Sequence, residues 1–435
     1  MGIIIGIGDT SSGGYDAYYG VEWDTANSTP TLTRVGSPRL HQELPVQSGM
    51  RRCLVTDAGA VTYLHASDST KKEDGTAADL SGAAGQVMVE IPEHYRRFVT
   101  IGTKRRVLLA TKALEGFHKV PKMYVSAYEA ALDRTNSKLA SVVNTTAQYR
   151  GGNNTDSWDG TYRSLLGLPA TNISTTNFRT YARARGTGWE MYAYDCHKAI
   201  YWLFCVEYAT LNSQAAFNAE LTADGYHQGG LGDGVTTIAS GTWNSHNSYN
   251  PMVPCGVTNS LGNATGTVSY AVTASDDSTL ITFSVPSYRG IENPFGHIWK
   301  MSDGAMMVSE TVDEVATPHF YVCPLEEHAS WASSKNSHYV LKGTLPTASG
   351  VYAKRHLFGE DGEMVPDQAG GTGTSATTYL CDYFYITNSS TRAVFFGGHA
   401  HSGAGAGLAD ASTSLDFSYA NANYGSRLCY FPAAA

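Results

Sequence analysis

The sequence most informative about the fold begins Arg392-Ala-Val-Phe-Phe-Gly-Gly-His-Ala-His-Ser-Gly-Ala-Gly-Ala-Gly-Leu408 and ends Tyr424-Gly-Ser-Arg-Leu-Cys-Tyr-Phe431. It contains an apolar run at residues 393–396, then a tract of small and turn-forming residues, then a second apolar run at residues 428–431. Short apolar runs bounded by turn residues are typical of strands, whereas clusters of glycine, serine and asparagine mark loops. The pattern therefore predicts a strand, a long surface excursion and a second strand.

The excursion between these two strands carries side chains that suit binding. They are His399, His401, Ser402, Asp410, Ser412, Thr413, Tyr419, Asn421, Asn423 and Tyr424. Tyrosine offers a large contact area at little entropic cost, and serine and asparagine offer adaptable hydrogen bonds. Residues 393–426 contain no Lys, Glu, Gln, Met, Trp or Pro. We therefore expect a binding surface here, with an ordinary glycine-rich surface loop as the alternative.

The spacing of several residues in this stretch is similar to that of a known family. These residues are Arg392, Phe396-Gly-Gly398, Gly403, Gly407-Leu408 and Gly425-Ser-Arg-Leu-Cys429. They resemble the carboxyl-terminal variable region of proteins that are diversified by diversity-generating retroelements. In that family a C-type-lectin-like scaffold presents side chains altered by mutation at adenines of Asn-type codons, which do not yield Lys, Glu, Gln, Met or Trp. The residue types absent from the stretch fit that mechanism, apart from proline, which those codons allow.

The resemblance implies an α+β fold and a division of the chain into two parts. Residues 116–435 are expected to form a C-type-lectin-like ligand-binding domain with a variable region at about 392–429. Residues 1–115, which show short strand and turn patterns, are expected to form a small β-rich region for attachment or oligomerisation. Arg427 and Gly398 are expected to belong to the scaffold. The positions expected to face a ligand are His399, His401, Ser402, Gly405, Ala409, Asp410, Ser412, Phe417, Tyr419, Asn421 and Tyr424.

A second segment reads Tyr288-Arg-Gly-Ile-Glu-Asn-Pro-Phe-Gly-His-Ile-Trp-Lys300. It resembles the core strand of C-type-lectin-like proteins related to the formylglycine-generating enzyme. That enzyme needs a close pair of reactive cysteines near the carboxyl end, where this chain offers Cys381 and Cys429 without a matching motif. His297 is expected to pack in the core. We therefore expect no catalytic residue and no cofactor.

Metal-binding motifs are not recognisable in the sequence. Animal C-type lectins hold calcium through Glu-Pro-Asn and Trp-Asn-Asp motifs, whereas this chain has Glu292-Asn-Pro294 and no Trp-Asn-Asp. A calcium ion needs roughly six to eight converging oxygens. The seven cysteines show no paired spacing of the kind that zinc sites use. We therefore expect no metal, and we expect solvated loop positions for the neighbouring acids Glu292, Asp303, Glu310, Asp313 and Glu314.

Composition limits the classes of partner. The chain has 435 residues, of which 16% are charged, and a formal net charge of -9. Because such a chain lacks a concentrated basic face, no nucleic-acid partner is expected. The short basic clusters at residues 104–106 and 179–185 are predicted to form local ion pairs. Cys196 and Cys205 lie in an apolar stretch and are predicted to be buried in a chain that folds under reducing conditions.

Targeting signals are also absent from the sequence pattern. Residues 1–8 contain a short apolar run without a basic flank or a cleavage site, so they do not resemble a secretion signal. No stretch approaches the roughly 18 uninterrupted apolar residues that span a membrane. We therefore expect a protein made in the host cytoplasm that reaches the exterior within a virion, with the bacterial cell surface as the alternative location.

Hydrophobic periodicity predicts the main elements. The longest helix is predicted at residues 191–221, and its segment 200–206 is apolar on every side and must be covered all round. A shorter helix is predicted at residues 175–185. A strand at residues 381–386 is predicted to pair with residues 393–396 and, with the terminal strand, to form a small antiparallel sheet. Further strands are predicted at residues 21–24, 31–35, 52–55, 61–65, 86–91, 106–110, 265–270 and 280–285.

The resemblance to retroelement-diversified proteins implies a phage receptor-binding protein of the tail-fibre kind, which displays a diversified surface on a C-type-lectin scaffold. The expected partners are a host cell-surface receptor, either protein or glycan, other virion proteins and further copies of the chain. A trimer would raise avidity, because weak sites that act together bind far more tightly than one. Two other classes stay open: a structural virion decoration protein, and a formylglycine-generating-type enzyme or glycan depolymerase with a cleft of converging acids or thiols.

Overall fold

A computed structural model describes residues 15–26, 29, 31–152, 165–274 and 278–433 of the chain. The apolar run at residues 1–8, on which the prediction about secretion rests, lies outside them. The α-helices are α1 (Pro38–Glu43), α2 (Pro45–Ser48), α3 (Thr175–Arg183), α4 (Tyr194–Tyr208) and α5 (Ser240–Asn247). Short 3₁₀ turns span Tyr15–Ala17, Ala147–Tyr149, Asn259–Leu261, Leu325–Ser330 and Gly403–Gly405.

Strands make up most of the regular structure. The first thirteen are β1 (Tyr19–Asp24), β2 (Thr33–Gly36), β3 (Arg51–Val55), β4 (Val61–His65), β5 (Asp68–Lys72), β6 (Gln86–Ile91), β7 (His94–Ile101), β8 (Lys104–Ala110), β9 (His118–Val120), β10 (Met123–Ser126), β11 (Ala131–Asp133), β12 (Lys138–Ala140) and β13 (Trp189–Met191). The others are β14 (Gly266–Thr273), β15 (Thr279–Tyr288), β16 (Ile291–Glu292), β17 (Trp299–Val312), β18 (Val315–Val322), β19 (Val340–Thr344), β20 (Val351–Phe358), β21 (Glu363–Ala369), β22 (Tyr383–Ile386), β23 (Thr391–Phe396), β24 (Ala411–Thr413), β25 (Tyr424–Gly425) and β26 (Leu428–Tyr430). Each of the eight further strands predicted from the sequence overlaps one of these.

Two antiparallel sheets contain strands from both sides of residue 116. One has the order β2-β1-β8-β7-β9, and the other has the order β13-β26-β10-β6-β3-β4-β5. In the second sheet β6 pairs with β10, and β10 pairs with β26. The division predicted at residue 116 therefore does not coincide with a break in either sheet. The prediction that β26 joins a small sheet with residues 381–386 and 393–396 is wrong, because β26 lies between β10 and β13.

The largest sheet has the order β19-β18-β17-β23-β24-β22-β20-β21. The short strand β25 also belongs to it and pairs with β17. The predicted direct pairing of residues 381–386 with 393–396 is wrong, because β24 lies between β22 and β23. β24 runs parallel to β22 and antiparallel to β23. A segment of the expected surface excursion is thus an interior strand of this sheet.

The helix α4 lies in the core. Every residue of α4 except Asp195 is buried, as its all-round apolar sequence requires. The helix is shorter than predicted, because Ala209 adopts the left-handed conformation with φ of +51° and ends it. The amide of Leu32 then donates to the carbonyl of Ala209 at 2.9 Å, so the chain after the helix is paired with the segment before β2. Glu207 at the end of α4 binds Arg289, with 2.6 Å between Oε1 and Nη2.

A buried polar network joins three distant segments. Glu129, which follows β10, accepts a hydrogen bond from His297 Nδ1 at 2.5 Å, and its Oε1 lies 2.8 Å from Lys300 Nζ. The other ring nitrogen of His297 accepts from the backbone amides of Met252 and Val253, so the ring carries its proton on Nδ1. His297 is fully buried, which confirms its predicted place in the core.

Arg427 completes this network from the carboxyl-terminal side. It is fully buried and donates to the carbonyls of Ser126, Glu292 and Asn293. Buried carbonyls that lose their donors cost about 1–3 kcal/mol each. Arg427 therefore holds the start of β26 against the end of β10 and against β16.

Two of the acids predicted to be solvated are buried instead. Asp303 is fully buried and forms a bidentate ion pair with Arg179, at 2.5 and 3.0 Å. Glu292 is buried and accepts from the amides of Gly256 and Thr258. The prediction is wrong for these two because partners distant in sequence surround each carboxylate. The predicted ion pairs of the basic clusters are confirmed, for example between Arg106 and Glu22.

None of the helices among the described residues combines the length and the apolar character that crossing a bilayer requires. The assignment of the carboxyl-terminal part to a C-type-lectin-like fold stays a prediction.

We expect the substitution Arg427→Ala to lower the free energy of unfolding by about 3–5 kcal/mol, because three buried carbonyls lose their donor and a cavity remains. Urea denaturation followed by tryptophan fluorescence measures this loss. The matched control is Arg39→Ala, since the Arg39 side chain is 62% exposed and its ion pair among the described residues is the surface contact with Glu43. A surface pair is worth about 1 kcal/mol or less. Equal losses for the two variants would contradict the structural role of Arg427.

Candidate functional site

Two glycines and a backbone hydrogen bond constrain the path of the loop that follows β23. Gly397 and Gly398 have φ of +92° and +71°, a region that favours glycine. A Cβ atom at Gly398 would lie 2.6 Å from Oδ2 of Asp410, so a larger residue does not fit there. The amide of Ala400 donates to the carbonyl of His297 at 3.0 Å. The loop is thereby attached to the same segment that carries the buried network.

Two histidines of this loop pack on α5. The ring centroids of His399 and His401 lie 4.1 Å apart. Both rings contact Trp243, which is fully buried, at centroid distances of 5.6 and 5.9 Å. Tyr249, just after α5, contacts Trp243 at 5.5 Å and His401 at 6.5 Å. The helix therefore supplies a buried support for rings that come from another part of the chain.

Trp299, the first residue of β17, supports a second group of rings. It is buried and contacts His399 at 5.9 Å and Tyr385 at 6.0 Å. Tyr424 stacks on it with an interplanar angle of 12° and a centroid distance of 6.3 Å, because β25 pairs in parallel with β17 at this position. Tyr419 meets Tyr424 edge to face at 5.2 Å.

These rings form one continuous patch. We call its half-buried and exposed members the aromatic surface: Tyr249, Tyr385, His399, His401, Tyr419 and Tyr424. The patch continues through Tyr383, 5.8 Å from Tyr385, to Tyr352, a further 4.3 Å away. Aromatic rings that pack edge to face or offset hold one another in place. The aromatic surface is therefore ordered before any ligand arrives.

The histidines of the aromatic surface are uncharged at neutral pH. Burial lowers the pKa of His399 to about 3, with smaller contributions from His401 and Lys300. Burial also lowers the pKa of His401. Asn423 lies 2.7 Å from His399 Nδ1 through its side-chain nitrogen, which fixes the ring orientation. The surface thus offers rings, amides and hydroxyls without formal charge from its own members.

The structure divides the eleven positions that were predicted to face a ligand. His401 and Asn421 are exposed, and His399, Ser402, Tyr419 and Tyr424 are half-buried. Ligand contact by these six stays a prediction. The expectation of an outward-facing side chain is wrong for the other five, which are buried: Gly405, Ala409, Asp410, Ser412 and Phe417.

The pairing of β24 explains these buried positions. Ser412 lies within β24, between β22 and β23. Gly405 packs against the ring of Tyr383, and Phe417 lies beside the guanidinium of Arg179. Sequence composition marked the whole excursion as surface, because small residues suit both exposed loops and close packing.

Two of the buried carboxyl groups lie together beneath this loop. Asp382 accepts a hydrogen bond from the amide of Ala409 at 2.8 Å. Asp410 is fully buried, and neither of its carboxyl oxygens has a partner among the described residues. Burial raises the pKa of Asp382 to about 7, and burial together with the charge of Asp382 raises the pKa of Asp410. The pair is therefore most stable when protonated.

Several members of the aromatic surface come from outside the predicted variable region. Tyr385 and Tyr383 lie on β22, where the alternating burial pattern puts both on the face opposite to Phe384. That alternation was visible in the sequence and is a signal that could have identified them. Trp243 and Tyr249 had no such signal, because only the tertiary structure brings α5 beside the loop after β23.

The arrangement suits binding through contact and hydrogen bonding. No group of three or more His, Cys, Asp or Glu side chains in the described parts of the chain is placed to hold a metal ion. All seven cysteines are buried, and burial raises the pKa of Cys381, for example. A thiolate, not a thiol, is the reactive form. Burial of Cys381 therefore disfavours the reactive form of this thiol.

We expect the substitution Asp382→Asn to become progressively more stabilising as pH rises. The folded state keeps the Asp382 proton up to about pH 7, while an ordinary carboxyl group loses it near 3.8. In the native chain the protonated Asp382 therefore makes its full contribution to the free energy of unfolding below about pH 4. This contribution is lost as the pH approaches 7, and the loss is on the order of 4 kcal/mol. The difference in unfolding free energy between variant and native chain, measured by urea denaturation from pH 4 to pH 8, should rise over this window.

The control is Asp416→Asn, an exposed acid whose pKa is lowered by hydrogen bonds from Ser418. Its substitution should become less favourable as pH rises through the ordinary titration range of a carboxyl group. A pH-independent difference for Asp382→Asn would show that this carboxyl group is ionised in the folded protein.

Comparison with known proteins finds a weak likeness among solved structures. No family model and no curated protein matches the chain. Among solved structures, the chain is similar to a protein named Major Tropism Determinant U1 Variant, with 11% identity and a TM-score of 0.22. The likeness covers 78% of this chain and 72% of that one. The superposition is too loose to show a shared fold.

Proposed function

We propose that the chain is a receptor-binding protein that attaches to a macromolecule on a host cell through the aromatic surface. The observation that carries this proposal is the surface itself: six rings from four segments of the chain, whose contacts with one another or with the two buried tryptophans have centroid distances of 4.1–6.5 Å. Rigid amphipathic rings provide contact area with little loss of conformational entropy on binding. A ligand can therefore gain affinity without first ordering the loop.

The exposed members can change with little effect on the fold. His401 is exposed, and the exposed side chain of Asn421 hydrogen-bonds to the Tyr419 hydroxyl and to the amide of Ala422. In contrast, Asp410 and Phe417 are enclosed, so substitutions there change packing. Diversification would accordingly be tolerated at the exposed positions and limited at the buried ones. This separation supports a surface whose specificity varies on a constant scaffold.

The finer proposal is a phage protein of the tail-fibre kind, diversified by a retroelement and displayed on the virion. The residues at Arg392, Gly397-Gly398 and 425–429 support it through their resemblance to that family. In this proposal other virion proteins anchor the chain, and copies assemble as a homo-oligomer such as a trimer. Several weak sites presented together then give strong attachment.

We expect His401→Ala and Tyr419→Ala to weaken attachment of the full chain to susceptible bacteria by roughly 5- to 30-fold each, because each removes a ring worth about 1–2 kcal/mol of contact. Fluorescently labelled protein, titrated onto a panel of bacterial strains and counted by flow cytometry, measures the apparent affinity. A strain that binds the native chain is identified first.

The matched control is Tyr95→Ala, a half-buried tyrosine on β7 that contributes nothing to the aromatic surface. Its attachment should equal that of the native chain. Equal attachment by the His401 and Tyr419 variants would exclude the aromatic surface as the receptor site. Failure of the native chain to bind any strain, while purified virions carrying it do attach, would favour a structural decoration role instead.

The retroelement part of the proposal has its own test in the genome. We expect a near-copy of the codons for residues 391–431, differing at adenines, beside a reverse-transcriptase gene. Differences confined to codons of buried residues would contradict the separation of surface from scaffold.

A further inference from the structure

A polar cleft of about 290 Å³ lies apart from the aromatic surface. Its walls come from the turn after β3, the loop before β6, the hairpin of β11 and β12, the 3₁₀ turn at Ala147–Tyr149 and the segment after α3. None of these elements contributes a ring to the aromatic surface. The residues that matter for recognition are Asp57, Asp133, Asn136, Lys138, Tyr149 and Arg185.

The charges of this cleft are compensated within its walls. Asp57 accepts from Arg185 Nη1 at 2.6 Å and from Lys138 Nζ at 3.0 Å. Asp133 accepts from the amides of Thr135 and Asn136 and from two side-chain amides. An ionic ligand would have to compete with these contacts and would lose its own hydration. The cleft therefore shows no preference for an ion of either sign.

Hydrogen-bonding capacity nevertheless remains in the walls. Arg185 is buried, and two of its nitrogens donate to Leu139 and Asp57, while Nη2 has no partner among the described residues. Lys138 Nζ uses one of its three N–H groups on Asp57. The side-chain oxygen of Asn136, an exposed residue, accepts from none of the described groups. Donors and acceptors are thus both available at short range.

We propose that this cleft binds a small uncharged polyhydroxylated ligand about one sugar ring in size. Each hydroxyl group of such a ligand both donates and accepts, so it can join the existing network without displacing an ion pair. Planar guanidinium, carboxylate and amide groups offer adjacent atoms that match neighbouring hydroxyls, and the aromatic residue Tyr149 also lines the cleft. The volume lies at the lower limit of about 300–1,000 Å³ for small-molecule sites, which restricts the ligand to one ring.

This inference is independent of the receptor-binding proposal. Saturation-transfer NMR on the full chain, with methyl glucoside, methyl galactoside, methyl mannoside and N-acetylglucosamine at about 10 mM, detects ligands with millimolar dissociation constants. We expect transfer to at least one of these sugars. Glucuronate and glucosamine, which carry one charge each, should show weaker transfer than the matching neutral sugar.

Two variants locate the site. Ala83→Trp fills the cleft from an exposed loop position without removing a hydrogen bond, and Tyr149→Ala removes the ring. Each should weaken binding by roughly tenfold or more. Tyr419→Ala, on the aromatic surface, should leave it unchanged. Thermal melting of each variant establishes that it is folded. If Tyr149→Ala does not fold, Ala83→Trp alone is sufficient to locate the site.

Three results would overturn the proposal. One is the absence of transfer to every sugar. The second is unchanged transfer in folded Ala83→Trp, which would place the sugar elsewhere. The third is stronger transfer to the charged analogues, which would show that the paired charges of Asp57, Lys138 and Arg185 open to receive an ion.

Discussion

The ion pair and hydrogen bond on the Glu129 carboxylate are the contacts on which the rest of this structure depends. Burial alone would raise the pKa of Glu129, but the charge of Lys300 and the contact with His297 outweigh this effect and lower the pKa to about 2. A buried carboxylate is tolerated only with such partners, and losing one of them leaves the others costly. Glu129 therefore ties β10 to the segment before β17, while Arg427 ties both to the start of β26. These contacts hold together strands that are more than 300 residues apart in sequence, since Tyr124 of β10 pairs with Tyr430 of β26.

The same segment carries the candidate site. Trp299 lies between His297 and Lys300, and its indole supports His399, Tyr385 and Tyr424. The carbonyl of His297 holds the loop after β23 through the amide of Ala400. Because Trp299 lies in this buried segment, the rings that pack on its indole have few alternative positions. The order of the aromatic surface is thus a consequence of the core network and does not require a ligand.

The loop after β23 combines exposed and enclosed parts within a few residues. His401 faces solvent, whereas Asp410 lies wholly inside with its carboxyl oxygens unpaired among the described residues. An unpaired buried carboxyl group lowers stability when it is ionised, and burial raises the pKa of Asp410, so this enclosed part of the loop favours the protonated form. Substitutions that change binding are therefore compatible with the fold only at positions whose side chains lie outside this enclosed part. The polar cleft near Asp57 differs from this enclosed part, because its charged groups are already paired within the protein.

Local sequence patterns determined much of the secondary structure. Alternating and continuous apolar runs gave the strands, and the all-round apolar run at residues 200–206 gave the buried helix, because burial in each element leaves a periodic trace. Composition also indicated His399, His401, Tyr419 and Tyr424 as surface rings. Only the tertiary structure decided the rest: that Ala209 ends α4, that β24 enters the sheet and buries Asp410, and that Trp243 and Tyr249 meet the loop. These outcomes depend on contacts between residues far apart in the chain, and such contacts leave no periodic signal in either partner alone.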